Sequence, residues 1–96
     1  MLTVQIEHPI RDFKSWRAAF DSDPVGRKQA GVRRYRILRP VDEPNRVVIE
    51  LDFDSASEAE AFVAAMRKVW NRVEGTIIMS PTARILESIE TKEYQD

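Results

Sequence analysis

The chain has 96 residues, which is enough for one small domain and too few for two. Its 15 basic and 16 acidic residues give a net charge of -1, so we expect neither nucleic acid nor an anionic membrane surface as a partner. The lack of cysteine excludes disulfides, thiolate catalysis and cysteine-ligated zinc. We expect a single domain over residues 1–96, in the cytoplasm, because no signal sequence or long apolar segment is evident.

The first half of the chain predicts a strand, a helix and a β-hairpin. The predicted elements are a strand over 2–8, a helix over 13–22, a further helical turn within 24–30 and strands over 32–40 and 46–53. Apolar and polar residues alternate along the first strand, and His8 falls on its apolar side. Pro9 ends that strand, and Asp12 is placed to cap the helix that follows.

The second half predicts one long helix and a fourth strand. Ser55 and Glu58 have the spacing of a capping box, which favours a helix start at this point. Apolar residues then recur three and four positions apart through residue 73, as in a helix with one broad face on a core. The segment "TARILESIE", residues 82–90, has the pattern of a strand.

The resulting order, βαββαβ, predicts an α+β fold of the ferredoxin-like type. Right-handed crossovers place both long helices on one face of a four-stranded antiparallel sheet with the strands in the order 4-1-3-2. The other face carries no helix, and we call it the bare face. Along the hairpin, pairing Leu38 with Val48 brings Arg36 opposite Glu50, so opposite charges meet across the strands. The same register brings a second pair together, Arg34 and Asp52.

This element order, together with "HPIRDFKSWRAAFD" and "LDFDSASEAEAF", resembles the dimeric α/β barrel superfamily. The resemblance covers nearly the whole chain and is strongest to bacterial members related to antibiotic-biosynthesis monooxygenases and polyketide cyclases. The superfamily includes cofactor-independent monooxygenases that act on polyketide quinone precursors, polyketide cyclases and haem-degrading enzymes. It also includes members with no known activity.

The resemblance implies a homodimer formed through the bare face and a small-molecule pocket between helices and sheet in each subunit. On this interpretation the charged residues of the bare face form ion pairs at the dimer interface and are not acids or bases of a reaction. These residues are Arg34, Arg36, Glu50, Asp52 and Arg84.

The topology predicts where a reaction site would lie. Strand one and the long helix end at the same edge of the sheet, and the first helix begins there. This end collects His8, Asp12, Trp16, Met66, Trp70, Ile37, Arg39 and the loop 77–79. His8 is the candidate catalytic base, because an imidazole with a pKa near neutral can take a proton from a phenol or an enol. A hydrogen bond to a loop carbonyl or a helix cap explains a histidine at a strand end equally well.

Five further residues are candidates for substrate binding. Trp16, Met66 and Trp70 would form the walls for a flat substrate, and Tyr35 or Arg39 would polarise a developing oxyanion. Plain core packing is the alternative for the tryptophans, and a hydroxyl at the core edge is the alternative for Tyr35.

Other chemistries are poorly supported by the sequence. One histidine and no cysteine leave no metal-ligand pattern, and three scattered glycines provide no phosphate loop, so we expect no metal and no nucleotide cofactor. Trp70 matches a tryptophan of the haem-degrading members, but the helix over 56–73 lacks their axial histidine, which makes haem doubtful. Glu87 faces the helices and is predicted to lie near Val4, too far along the strand to form a dyad with His8.

Two functions therefore remain open. One is a cofactor-independent enzyme, monooxygenase-like or cyclase-like, acting on a small aromatic or polyketide-type molecule. The other is a non-catalytic dimeric protein with a ligand-binding or structural role. A cavity of a few hundred cubic ångströms between His8, Trp16 and Trp70 would favour the enzyme, and a filled core would favour the alternative.

Overall fold

The computed structural model describes residues 1–73 and 80–95; the predicted pocket loop 77–79 lies outside them. The elements are β1 Leu2–Pro9, α1 Phe13–Ser22, α2 Arg27–Ala30, β2 Arg34–Leu38, β3 Arg46–Phe53, α3 Ala56–Val73 and β4 Thr82–Glu87. None of the helices in the described ranges is both long and apolar enough to cross a membrane.

Both long helices begin at the capping residues that the sequence predicts. The Asp12 carboxylate accepts a hydrogen bond of 2.7 Å from the Ser15 backbone N–H, which satisfies one of the free donors of the first turn of α1. Before α3, the Glu58 N–H donates to the Ser55 hydroxyl, and that hydroxyl donates to the Glu58 carboxylate. At the end of α1, Asp23 adopts the left-handed conformation, with φ of 51°.

The sheet has the predicted strand order. The strands lie in the order β2-β3-β1-β4, and every neighbouring pair is antiparallel. The hairpin register is also as predicted, with Arg34 opposite Asp52, Arg36 opposite Glu50 and Leu38 opposite Val48. The four-stranded sheet with helices on one face confirms the ferredoxin-like α+β fold.

Two of the predicted strands are shorter in the structure. β2 covers five residues within the predicted range 32–40, and β4 ends at Glu87 because the pairing with β1 stops at Leu2. Ile85 lies opposite Val4, and Glu87 lies opposite Leu2, two residues further along than predicted. Glu87 is solvent-exposed, and its separation from His8 along the sheet is as expected.

The core lies between the helices and the central strands. Alternate residues of β1 and β3 are buried, which is the burial pattern of strands with one face on a core. The helix-side residues Val4, Val47, Leu51 and Phe53 are at most 1% exposed. Phe53 packs on Phe62 of α3 with the ring centroids 5.3 Å apart, which fastens α3 to the sheet.

Replacement of Phe53 by alanine is expected to lower the free energy of unfolding by about 3–5 kcal/mol, because the ring is fully buried and its removal leaves a cavity. Urea denaturation followed by circular dichroism measures the change. Tyr94→Ala, at a ring that is 88% exposed, is the control and should change stability by less than about 0.5 kcal/mol. Equal losses in the two variants would contradict this position of the core.

Candidate active site

A cavity of about 80 Å³ lies between the two long helices and the sheet. Its floor consists of side chains from the two central strands, namely Ile6, His8, Ile49 and Leu51. Its walls are formed by residues of α1 and α3, including Trp16, Phe20, Met66 and Trp70.

His8 is at the closed end of this cavity. The residue lies opposite Val47 of β3, one residue beyond the pairing of Glu7 with Thr82 at the start of β4, and it is only 1% exposed. Its Nδ1 is 3.1 Å from the carbonyl oxygen of Pro9. Because a carbonyl oxygen can only accept, this bond requires the proton on Nδ1, and the neutral ring then has its lone pair on Nε2. Among the described residues no hydrogen bond engages Nε2.

The surroundings of His8 favour the neutral imidazole. Burial, the largest effect, lowers the pKa of His8 below its ordinary value of 6.5, and the positive charge of Arg46 lowers it further. The hydrogen bond to the Pro9 carbonyl acts in the opposite direction but does not outweigh burial. At neutral pH the ring can therefore accept a proton on Nε2, as a general base must.

His8 is expected to make the protein less stable in mild acid. Because its pKa is lowered in the folded state, the unfolded chain binds the proton first as the pH falls below 6.5. Above pH 6.5 the contribution of His8 to the free energy of unfolding should thus be constant. As the pH is lowered from 6.5 toward the lowered folded-state pKa, the free energy of unfolding should decrease. Urea denaturation between pH 7 and pH 5 measures this slope.

The assignment of that slope is simple because His8 is the only histidine in the chain. The pKa values of Asp12, Glu50 and Asp52 are lowered from their ordinary acidic values, so these groups stay ionised over the same range. In His8→Asn the slope between pH 7 and pH 6 should disappear, because in that range the carboxylates are ionised in the unfolded chain as well. A slope that survives in this variant would contradict the explanation.

The structure brings together four of the six predicted site residues around the cavity. His8 forms part of the floor, Trp16 lies on the α1 wall, and Met66 and Trp70 lie on the α3 wall. The two tryptophans are 4% and 5% exposed, and Met66 is half-buried. The Trp16 ring is tilted against the imidazole with their centroids 6.4 Å apart. One basic nitrogen therefore faces a space with aromatic and thioether walls.

Tyr35 and Arg39 do not line the cavity. The Tyr35 ring is 41% exposed and meets the outer side of Phe20 edge-on at 5.1 Å, so Phe20 separates it from the cavity. The Arg39 guanidinium lies over the Phe13 ring at 5.0 Å and is also exposed. Strand parity predicts their face of the sheet correctly, but these aromatic contacts hold both residues outside the space beside His8.

The charged residues at the cavity mouth are not among those predicted from the sequence. Asp23, Pro24, Val25 and Arg27, from the segment that joins α1 to α2, complete the lining. Arg27 lies over the Phe20 ring, with its guanidinium carbon 3.9 Å from the ring centroid. The one signal in the sequence is the spacing of four between Asp23 and Arg27, which is typical of an ion pair.

The bare face carries a network of ion pairs and hydrogen bonds. Arg34 Nε donates to the Asp52 carboxylate at 2.5 Å, and Thr3 donates to its other oxygen at 2.7 Å. Arg36 pairs with Glu50, which also accepts a bond of 3.1 Å from the Gln5 amide. The arginines are 75% and 67% exposed, whereas the carboxylates are 15% and 18% exposed.

These contacts determine the charge state of the bare face. The hydrogen bond from Arg36 is the largest effect on Glu50 and lowers the pKa of its carboxyl group. Burial alone would raise the pKa of Asp52, but hydrogen bonds from Arg34 and Thr3 outweigh it, and the pKa is lowered. Both carboxylates are therefore ionised partners and are poorly suited to proton transfer near neutral pH.

No cluster of three or more histidine, aspartate or glutamate side chains with the geometry of a metal site occurs within residues 1–73 and 80–95. The cavity itself offers one imidazole and one carboxylate, His8 and Asp23, among largely apolar groups. This donor set does not resemble that of a protein metal site.

Comparisons with known proteins bear on the fold. No protein-family model matches the chain, and a search of curated proteins finds no match either. Among solved structures, it is similar to SnoaB, a cofactor-independent oxygenase from Streptomyces nogalater, with a TM-score of 0.72 and 12% identity over 94% of each chain. A candidate antibiotic biosynthesis monooxygenase from Deinococcus radiodurans gives a TM-score of 0.67 and 13% identity over 100% of each chain.

A third similar structure is a dimeric ferredoxin-like protein from an uncultured marine organism. It has a TM-score of 0.65 and 14% identity, over 95% of this chain and 97% of that chain. Identities this low establish a shared architecture and not a shared activity. The chain thus has the ferredoxin-like α+β fold of antibiotic biosynthesis monooxygenase-type proteins and of a cofactor-independent oxygenase.

Proposed function

We propose that this protein is a cofactor-independent enzyme, monooxygenase-like or cyclase-like, that acts on a small aromatic or polyketide-type molecule. The observation that carries the proposal is the buried, neutral His8, whose Nε2 is left without a hydrogen bond to the described residues at the closed end of an aromatic-lined cavity. Similarity of fold to a cofactor-independent oxygenase supports this choice of reaction class.

The chemistry begins with one proton transfer. Nε2 of His8 accepts a proton from a phenol, an enol or an activated C–H, and the electron pair stays on the substrate as a delocalised anion. In the monooxygenase-like reaction, dioxygen is the co-substrate: a CH₂ group becomes C=O, and the second oxygen atom leaves as water with both hydrogens. In the cyclase-like reaction, the anion attacks a carbonyl carbon of the same molecule.

The size of the cavity requires side-chain movement when a substrate binds. At about 80 Å³ the space is smaller than the few hundred cubic ångströms typical of a small-molecule pocket. Met66 is half-buried on the α3 wall, and its unbranched side chain can change rotamer at low cost. We propose that Met66 turns away when a ring enters between Trp16 and Trp70.

The small cavity also favours a second candidate function. A dimeric protein with a ligand-binding or structural role, without catalysis, needs no room for a reacting substrate. In that case the rings of Trp16, Trp70 and Phe20 are packing groups, and the hydrogen bond from His8 to Pro9 serves only to end β1.

We propose further that the protein forms a homodimer through its bare face. That face exposes Leu38 and Leu86, which are 40% and 37% accessible, beside the outward arginines. A second copy would cover these side chains and give each arginine further acceptors. The dimeric ferredoxin-like protein of similar fold supports this assembly.

The test combines ligand binding with turnover. Hydroxynaphthalenes and anthrones are titrated into the protein with tryptophan fluorescence as the readout, and oxygen uptake is then measured for each ligand that binds. Binding with oxygen uptake, or with ring closure of a polyketide-type substrate, supports the enzyme. Binding without either reaction favours the ligand-binding alternative, and absence of binding across the series favours a structural protein.

A further inference from the structure

The charged groups of the cavity lie at its open end, away from His8. Among the described residues, three titratable side chains line the cavity, namely His8, Asp23 and Arg27. His8 is 1% exposed, whereas the Arg27 and Asp23 side chains are 18% and 36% exposed. A ligand that enters past Arg27 with one end and reaches His8 with the other therefore meets a cation at the mouth and a neutral base at the closed end.

The Arg27 guanidinium is held in place before any ligand binds. Its Nη1 donates to the Phe20 carbonyl oxygen at 2.8 Å, and its guanidinium carbon lies over the Phe20 ring, 3.9 Å from the ring centroid. The Asp23 carboxylate lies 3.6 Å from Nη1 and accepts a closer bond, of 2.9 Å, from the Arg27 backbone N–H. Among the described residues, Nε and Nη2 of Arg27 make no hydrogen bond. A positioned fork of donors is thus available at the mouth.

Aromatic rings connect the two ends of the cavity. From Arg27 inward, the next group is Phe20, whose ring is stacked on Trp16 with centroids 5.2 Å apart, and Trp16 faces His8. Trp16 and Phe20 are four residues apart on α1, so they lie on the same face of the helix. Together they form one aromatic side of the cavity, from the mouth to His8, against which an aromatic ligand can pack.

We infer that Arg27 determines specificity at this site by binding the carboxylate of a flat aromatic or enolic acid whose acidic proton lies at the other end, near His8. This inference rests on the proposed function, because the ligand is the substrate that occupies the same cavity. A guanidinium offers two parallel donors to a carboxylate, a geometry that a neutral amide or ester cannot match. The carboxylate remains at the mouth, so only the far end of the ligand must fit in the closed part of the cavity.

The test compares two ligands and three variants. The ligands are a hydroxynaphthoic acid with its hydroxyl and carboxyl groups at opposite ends of the fused rings, and the corresponding carboxamide. Isothermal titration measures their affinities for the wild type, Arg27→Gln, Arg27→Lys and Lys28→Gln. Lys28 is the matched control, because it is the exposed neighbour of Arg27 in α2 and its change removes the same charge.

The wild type and Lys28→Gln are expected to bind the acid about 10–100-fold more tightly than the amide, as for a charge-assisted hydrogen bond. In Arg27→Gln this preference should fall to about threefold or less with the amide affinity unchanged. Arg27→Lys should keep an intermediate preference, and it shows whether a loss in Arg27→Gln reflects recognition or impaired folding.

The outcomes separate this inference from the proposed function. If the wild type binds acid and amide equally well, or if Arg27→Gln keeps the preference, the role of Arg27 is overturned while the site itself stands. If neither ligand binds the wild type, both the proposed function and the inference are overturned.

Discussion

His8→Asn is expected to lower turnover of a bound substrate by about 10²–10⁴-fold, the usual contribution of a general base. Asparagine is the informative replacement because its side-chain amide can still donate to the Pro9 carbonyl, as Nδ1 of His8 does. The variant therefore keeps the contact that ends β1 and loses only the basic nitrogen. Oxygen uptake or product formation under saturating substrate measures the effect.

The pH profile gives a second measurement of the same role. Because burial lowers the pKa of His8, the wild type should keep its activity somewhat below pH 6.5 and lose it only as the imidazole becomes protonated. In His8→Asn the residual activity should not show this acidic limb. An unchanged limb would assign the titration to another group, such as the substrate.

Asp12→Asn is the matched control for the carboxylate at the same end of the sheet. Asparagine caps helices as well as aspartate does, so α1 should start unchanged and activity should be retained. A loss in this variant as large as that in His8→Asn would contradict the assignment of Asp12 as a cap. Full activity in His8→Asn, with the ligand still bound, would leave the non-catalytic alternative as the function.

The fold could be predicted from the sequence because several local patterns agree. Alternation in β1 and β3, capping residues before α1 and α3, and a hairpin in which Arg36 meets Glu50 all point to one topology. The end of β4 could not be predicted from the sequence pattern because no glycine or proline follows the strand. The length of β4 depends instead on where β1 begins. Pairing with Leu2 decides that end, and a sequence pattern does not contain this information.

The candidate site was predictable only in part. Helical spacing and strand parity place Trp16, Met66 and Trp70 on the core side, and topology brings them to the same end as His8. Tyr35 has the predicted parity but does not line the cavity, because its ring packs against Phe20, which does. Which of the two rings lines the cavity depends on packing in three dimensions, whereas periodicity predicts only which face of the helix or strand a residue lies on.

Arg27 was missed for a related reason. The sequence predicts a helical turn within residues 24–30, and a helix of four residues has no apolar stripe that would indicate which face is buried. Its place at the cavity follows from the left-handed Asp23, which redirects the chain after α1 and brings the arginine back over Phe20. A pattern of apolar residues in the sequence does not predict such a change in chain direction.

Glu50→Arg is expected to weaken the proposed dimer by about 10²–10³-fold. The side chain of Glu50 is only 18% exposed even in one subunit, and it binds both Arg36 and Gln5. Replacement of Glu50 by arginine removes the carboxylate that pairs with Arg36 and places a second guanidinium beside it. Both positive charges then lie on the face that the partner would cover. An unpaired charge in a buried pair costs about 3–5 kcal/mol, and each 1.4 kcal/mol corresponds to about a tenfold change in affinity.

Sedimentation equilibrium over a range of protein concentrations measures the dimer affinity of each variant. The double variant Arg36→Glu with Glu50→Arg restores opposite charges across the strands and should recover much of the lost affinity, because Arg36 and Glu50 lie directly opposite each other. Asp21→Arg is the control, since it makes the same change at an exposed position of α1 on the helical side of the sheet. A wild type that stays monomeric, or equal losses for Asp21→Arg and Glu50→Arg, would show that the bare face does not form the interface.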